Sequence, residues 1–522
     1  MSLSPFLDLL DSTHPHPVVS PEQVSKWSQQ FSVLTGLEVY PRSLAMSHLG
    51  VFFMAKKGHD KYLAIFSEAR IPGFEGDSRT LNIHGRMLCL QICPTIPENA
   101  LSLRRTLLFT APRVWGLRRS AGLGDRLGLA TPGHVRALRE HHFAPIFAQQ
   151  SVREMQRLGR TPEDVLEAAC WGVFQEGWQQ GFGADADHLK TQDDVDRSVT
   201  AEFTFYTIDS SDHVDDNADH DPATRLEAKI QSLPWDVLEA SPADLEGLYL
   251  GKRFFLDGYV LEIDKASLVR AAVKYGRAVA HTANLYRHLA SRMGTTPFEL
   301  EISLDETDSP TTVLEHFFVA GELKRLGVEW ISLAPRFMGR FEKAVDYIGD
   351  LDAFEESVAR HAAVARVMGP YKLSLHSGSD KFSIYPIVAR HAGEHVHLKT
   401  AGTSYLEALR IVAGSDPGLF RRIMAFALEC YQGDRESYHV SADPSRVTAP
   451  AELKDTELSS VLDQHDGRQI LHVTFGSVLT ARNMDGTTRF RDRLFESLHS
   501  NEEAYYEALR AHLERHLALF EG

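Results

Sequence analysis

The residues best able to do chemistry sit where short alternating runs break into polar sequence. YKLSLHSGSDKFSIYP (371–386) and HVHLKTAGTSYLEAL (395–409) both begin this way. Leu373 and Leu375 share one face, opposite Lys372, Ser374 and His376; Val396 and Leu398 oppose His395, His397 and Lys399. A strand side chain changes face at every step, so each run has an apolar side and a charged side. Other runs end on Asp125, on Asp185, Asp187 and His188, on Asp209, Asp212 and His213, and on Glu301, Asp305 and Glu306. A catalytic (β/α) barrel presents such groups at the C-terminal ends of its strands. Mixed His and carboxylate donors suit a divalent Zn, Mn, Co, Ni or Fe ion better than Mg or Ca. The Ser-Gly-Ser turn after His376 can offer N–H groups and hydroxyls to a carboxylate or phosphate, with Lys381, Lys399 and Arg336 to complete an anion pocket.

The elements that must position these groups follow a strand–helix rhythm. Strand-like runs occur in GLRRSAGLGDRLGL, FAPIFAQQS, GFGADADHLK, FTFYTIDSSDHVDD, FELEISLDET and VEWISLAP, followed by the two runs above. Eight such runs alternating with helices predict an α/β fold, a (β/α)8 TIM-like barrel over residues 114–415. Thr161-Pro162 and Ser309-Pro310 read as helix starts, and Ser404 with Glu407 as a capping box. Residues 214–297 exceed what one helix needs. They read as an insertion after the fourth strand, with a hairpin turning at Asp257-Gly258 and a long helix from about Lys265 to Met293, placed at the mouth as a lid.

Residues 1–113 read as an accessory α/β region with strands at 37–46, 51–58, 61–68 and 86–96, separated by turns such as IPGFEGDS. Residues 416–522 read as a mainly helical extension, broken at YHVSADPSRVTAPAEL. Its last helix carries a leucine stripe suited to core packing or to a homo-oligomer contact.

Composition narrows the class. Apolar content of 43% and charged content of 24% fit a globular protein. A formal charge of −16 lacks the basic surface that nucleic acid requires, and any anion site must be locally basic. No run is long enough to cross a membrane, and MSLSPFLDLLDSTHPHP lacks a signal-peptide pattern. Four cysteines predict a cytoplasmic protein without a disulfide framework, with Cys89 and Cys93 as core residues. GLGDRLG departs from the dinucleotide fingerprint, and neither a Walker A sequence nor a G-x-S-x-G elbow occurs.

Several long blocks carry a family resemblance: RLGLATPGHVRAL, FAPIFAQQSVRE, WGVFQEGWQQGFGADADHLK, YTIDSSDHVD, SLDETDSPT, YKLSLHSGSDKFSIYP, HLKTAGTSYLEALR and SYHVSADPSRV. Across roughly residues 115–480 the chain resembles the tagaturonate epimerase family of hexuronate catabolism, to which ketohexose 4-epimerases are related. The resemblance implies a metal-dependent interconversion of D-tagaturonate and D-fructuronate, with ketohexoses such as fructose and tagatose as further candidates. Short segments are also similar to class II ketose-bisphosphate aldolases: Asp187-His188 to that family's Asp-His pair, and His376-Ser377-Gly378-Ser379 to its His-Gly turn, with Ser at the first turn glycine. That likeness implies His188 and His376 as metal ligands. Glu306, His397 and Asp305 compete for the remaining place.

With the ketose numbered from its CH2OH end, the inverted centre is C4, beta to the C2 ketone and not acidified by it. Retro-aldol cleavage of C3–C4 and reclosure on the other face is the expected route; transient oxidation at C4 is the alternative. Asp187 or Asp305 would shuttle the C4 hydroxyl proton, with Asp125 a further catalytic candidate. Lys399 would stabilise oxyanions or pair with Glu301. Arg126, Gln149, Arg336, Ser377, Ser379 and Lys381 would hold the sugar acid. An aldolase that releases its fragments and a non-catalytic sugar-acid sensor are the other classes considered.

Overall fold

The computed structural model describes residues 20–521, so the opening MSLSPFLDLLDSTHPHP lies outside the described residues. Eight parallel strands close into a barrel. They are β1 (Ser120–Leu123), β2 (Ala144–Ser151), β3 (Gly183–Leu189), β4 (Phe205–Asp209), β5 (Glu299–Leu304), β6 (Ser332–Pro335), β7 (Lys372–Leu375) and β8 (Val396–Thr400). Pairing of β8 with β1, His397 opposite Ser120 and Lys399 opposite Gly122, closes the ring. Leu373, Leu375, Val396, Leu398, Leu300 and Ile302 pack outward into the main apolar core. The alternate residues meet inside, where Lys399 reaches across to β3, β4 and β5.

One break in alternation shapes the site. Asp187 and His188 are neighbours and would normally face opposite ways. The register between β3 and β4 shifts there, and His188 takes a left-handed φ of 61°. This bulge turns both side chains toward the same pocket.

The N-terminal region is an antiparallel sheet of the predicted strands plus one that the sequence pattern hid. Asp77–Ile83 is a mostly polar, exposed edge strand that begins at the end of the IPGFEGDS turn and continues through residues read as no strand. The stretch 37–46 divides into Glu38–Val39, a 3-10 turn at Pro41–Ser43 and Ala45–Ser47. One sheet face packs Phe53 and Phe66 on Phe31 of helix Pro21–Thr35. The other packs Phe52, Met54 and Cys93 against Cys170, Trp171 and Phe174 of barrel helix Pro162–Gln175. Cys89 and Cys93 are buried free thiols, and burial pushes the Cys93 thiol up to about 12.

Thr161 caps its helix as expected, with Asp164 completing the box. The two other starts differ. Thr312, paired with Glu315, caps helix Val313–Arg325 in place of Ser309; the Ser309 hydroxyl is donated to Asp219 instead. Helix Thr403–Ser415 starts at Gly402, because Ser404 bonds His134 and Glu407 accepts from Arg410. The long helix Lys265–Met293 and the two-residue Asp257-Gly258 hairpin form as read. The hairpin packs on helix Leu351–Met368, where Asp257 pairs with Arg366 and Tyr259 bonds the Arg360 carbonyl. That end of the helix feeds the N-terminal start of β7, so the hairpin lies away from the mouth and is not a lid over it.

Helix Glu502–Ala518 buries Tyr505, Tyr506, Leu509, Leu513 and Leu517, so its stripe is core. It also clamps the N-terminal sheet. The Glu502 carboxylate lies 2.5 Å from Lys61 Nζ and 3.2 Å from Lys56 Nζ, and accepts the Tyr40 and Tyr506 hydroxyls. Burial opposes its ionisation, but Lys61 and the hydroxyls hold its pKa at about 2, below the ordinary 4.5. A depressed carboxyl contributes stability above its unfolded value and loses it as pH falls through the folded one. Glu502→Gln should therefore cost roughly 2 kcal/mol at neutral pH, after discounting the desolvation of Lys61. The gap to the parent in denaturant midpoint should close between pH 4.5 and about 2.

Candidate active site

At the C-terminal mouth an outer cavity of about 380 Å³ meets a narrow inner one of about 50 Å³. Arg153, Asp305, Glu306, Lys343, His376, Ser377 and Tyr438 line both. The floor is a buried charge cluster. Lys399 Nζ lies 2.6 Å from Asp187, 2.9 Å from Asp185 and 2.8 Å from Glu301, and donates to Thr207 at 2.6 Å. Its pKa is well above the ordinary lysine value: burial opposes the charge, and the three carboxylates override it. Burial first, then its acidic neighbours, push Asp185 up to about 7 despite Lys399. For Asp187 and Glu301 burial also opposes ionisation, but the adjacent cations hold both well below the ordinary carboxylate range.

On this floor stand two histidines, their rings 5.0 Å apart. His188 Nδ1 lies 2.7 Å from Asp187, which leaves Nε2 as its donor atom. His376 Nε2 lies 2.7 Å from Glu301, and its Nδ1 is 2.8 Å from Asp305 but makes no hydrogen bond there. Ligand atoms of His188, Asp305 and His376 all lie within 4.8 Å of one another. A carboxylate behind each imidazole fixes its tautomer, an arrangement typical of metal-binding histidines. The donors present therefore fit a divalent cation. Burial opposes protonation of His376, yet Asp305 and Glu301 raise its pKa to about 10.

The structure sorts the other expected residues. Gln149 lines the inner cavity and donates to Asp187 at 3.2 Å. Arg336 lines the outer one. Arg126 lines the inner cavity with its guanidinium committed to Glu154, at 2.5 Å, and to the His472 carbonyl. Glu306 sits at the rim, 3.3 Å from Arg153, outside the three-ligand group that Asp305 completes. His397 is one layer lower, bonded to Ser120, which also accepts from Lys372, and so does not join the group. Asp125 spends both oxygens on the N–H groups of Leu127, Gly128 and Ala130, a loop cap rather than a catalytic group. Lys381 is caged by the carbonyls of Glu342, Val345 and Ser379, and Ser379 by Ala401, so neither reaches the cavity. Lys399 has more acceptors than hydrogens and stands as an ion-pair hub, not an oxyanion donor. Asp209 and Asp212 are drawn to Lys190, and His213 to His281.

The turn after His376 also differs from an anion-binding loop. The N–H groups of Gly378, Asp380 and Lys381 go to Lys399 O, His516 Nε2 and Tyr385 Oη. Ser377 and Asp380 hold left-handed φ values of 50° and 60°. Asp380 is braced further by Arg468 at 2.8 Å and His512 at 3.5 Å. His516 donates Nδ1–H to the His512 carbonyl, so its Nε2 is left as the acceptor for Asp380. Sequence reasoning missed Arg153, Glu154, Lys343, Tyr438 and His472, which lie on loops and helices without strand periodicity. The block SYHVSADPSRV, singled out in the sequence, was the available signal for Tyr438.

A closed parallel barrel with paired histidines and carboxylates gathered at its C-terminal mouth has the form of a (β/α)8 barrel enzyme. The model of the tagaturonate epimerase family matches residues 40–520. The tagaturonate/fructuronate epimerase of Thermotoga maritima is 42% identical over 487 residues, covering 93% of this chain and 98% of that protein. Crystal structures of the fructuronate–tagaturonate epimerase from Cohnella laeviribosi, native and glycerol-complexed, superpose with a TM-score of 0.88 at 39% identity, covering 95% of this chain and 99% of theirs. The chain belongs to the tagaturonate epimerase family, and it is an isomerase acting on carbohydrates.

Removing the hub tests the floor. Lys399→Met leaves three buried carboxylates without their shared cation and should cost about 3–5 kcal/mol of stability by denaturant titration. A loss under about 1 kcal/mol would contradict the hub.

Proposed function

We propose that this protein interconverts D-tagaturonate and D-fructuronate by opening and reclosing the C3–C4 bond, with a divalent cation held by His188, Asp305 and His376. The observation that carries this reading is the convergence of those three donors on a carboxylate-backed floor. Bound there, such an ion supplies Lewis-acid stabilisation of negative charge developing on substrate oxygens. Glu154 and Glu306 line the inner cavity, each with one oxygen paired to an arginine. With one oxygen each left over, they would take the C4 hydroxyl proton and return it after the aldehyde has turned. Asp187, pinned between Lys399, His188 and Gln149, orients instead. The absence of a dinucleotide fingerprint favours cleavage over transient oxidation.

Chelation should abolish epimerisation, and added divalent ion should restore it; a fully active sample free of metal by elemental analysis would overturn the metal reading. Asp305→Asn should weaken Co(II) binding at least about 100-fold, read by visible absorption, since even outer partners are worth 10–100-fold. Substrate carrying deuterium at C4 should keep its label through turnover. Washout of the label, or its transfer to a nicotinamide, would rule out bond cleavage.

A further inference from the structure

Retro-aldol epimerisation sets a problem of retention. Cleavage moves the C3–C4 electron pair to C3 and the C4 hydroxyl proton to a base. It leaves a three-carbon enediolate and a three-carbon aldehyde. In a hexuronate, that aldehyde fragment carries the carboxylate. It must turn its carbonyl face without leaving.

One lysine is placed for this. Lys343 lines both cavities and donates to Ser377 Oγ at 2.6 Å, one residue from His376. Among the described residues no carboxylate lies within ion-pair distance of it. Three other enclosed lysines are saturated: Lys61 by Glu502, Gln175 and Tyr506; Lys274 by Asp219, Glu315 and Ser309; Lys381 by three carbonyls. Lys372 also donates only to a hydroxyl, that of Ser120, but it lines neither cavity. An ammonium has three hydrogens, and Lys343 uses one on a neutral hydroxyl. Arg336, in the same cavity, makes no side-chain hydrogen bond or ion pair among the described residues. Its backbone is fixed to Thr311 from both sides. In a chain of net charge −16, two such uncommitted cations beside the reacting centre call for an anion.

We infer that Lys343, together with Arg336, is the subsite that holds the substrate's carboxylate and retains the cleaved aldehyde acid while its carbonyl turns. The inference rests on the proposed cleavage reaction. It makes the site selective for sugar acids: a neutral ketohexose leaves the cations unpaired in a partly desolvated pocket, and its glyceraldehyde fragment has no anchor.

Two measurements test this on the full chain. In the first, calorimetry compares binding of the aldonate made by reducing D-tagaturonate at its ketone with binding of the corresponding neutral alditol. Lys343→Met should weaken the aldonate about 10- to 100-fold, the range for a lost charge-assisted hydrogen bond. The alditol should change far less, and Lys343→Arg should recover much of the loss. Equal effects on both ligands, or none, would overturn the subsite. In the second, a hydrazine reagent traps free aldehyde during turnover. Lys343→Met should release more three-carbon aldehyde acid per epimerisation than the parent does; an unchanged ratio would overturn the retention role. If the parent washes out a C4 label, the cleavage reading fails, while the binding comparison still decides whether Lys343 recognises the carboxylate.

Discussion

The site depends on one buried ammonium. Lys399 is the point where β3, β4, β5 and β8 meet electrically, joining Asp185, Asp187, Glu301 and Thr207 in the barrel interior. Without it, carboxylates this close together could not all ionise. With it, Asp187 and Glu301 stay anionic and can each grip a histidine from below. The imidazoles are thus oriented through the carboxylates by a charge beneath them. The same arrangement explains why a catalytic role for Lys399 itself fails on stoichiometry: its hydrogens are already taken.

Much of this architecture is legible in the chain, for a simple reason. Alternation marks the barrel strands because their two faces see different media: helices outside, a polar interior within. A two-residue Asp-Gly turn and a 29-residue amphipathic helix are equally plain. The pattern fails where geometry departs from period two or where backbone groups decide. His188 reaches the pocket only through a bulge. Asp125 looks catalytic from its position, yet three backbone N–H groups consume it. Lys381 looks like an anion ligand until its carbonyl cage is seen. Asp77–Ile83 is an exposed edge strand whose apolar face is limited to Leu81 and Ile83, too short a pattern to mark it. Asp305 rather than Glu306 completes the three-ligand group, a one-residue choice that composition alone leaves open.

The accessory regions are not decoration. The N-terminal sheet is locked to the last long helix through Glu502, while that helix packs on barrel helix Thr131–Leu138 through Tyr506 and Leu509. The segment near Tyr438 comes back to the mouth, where its ring stacks on Arg153 and Arg157. Ser441 and Gln469 both donate to Glu342, one residue from Lys343. Parts of the chain with no strand in the barrel thus set the shape and charge of its opening.

His516 supplies the acceptor for the Asp380 amide from 136 positions further along the chain. The turn it steadies contains two non-glycine residues in left-handed backbone, a conformation that persists only when its surroundings over-determine it. During synthesis, all eight strands leave the ribosome well before this imidazole does. The turn beside His376 therefore gains its Asp380 brace only after more than a hundred further residues have followed the eighth strand, so local strand pairing alone does not complete it.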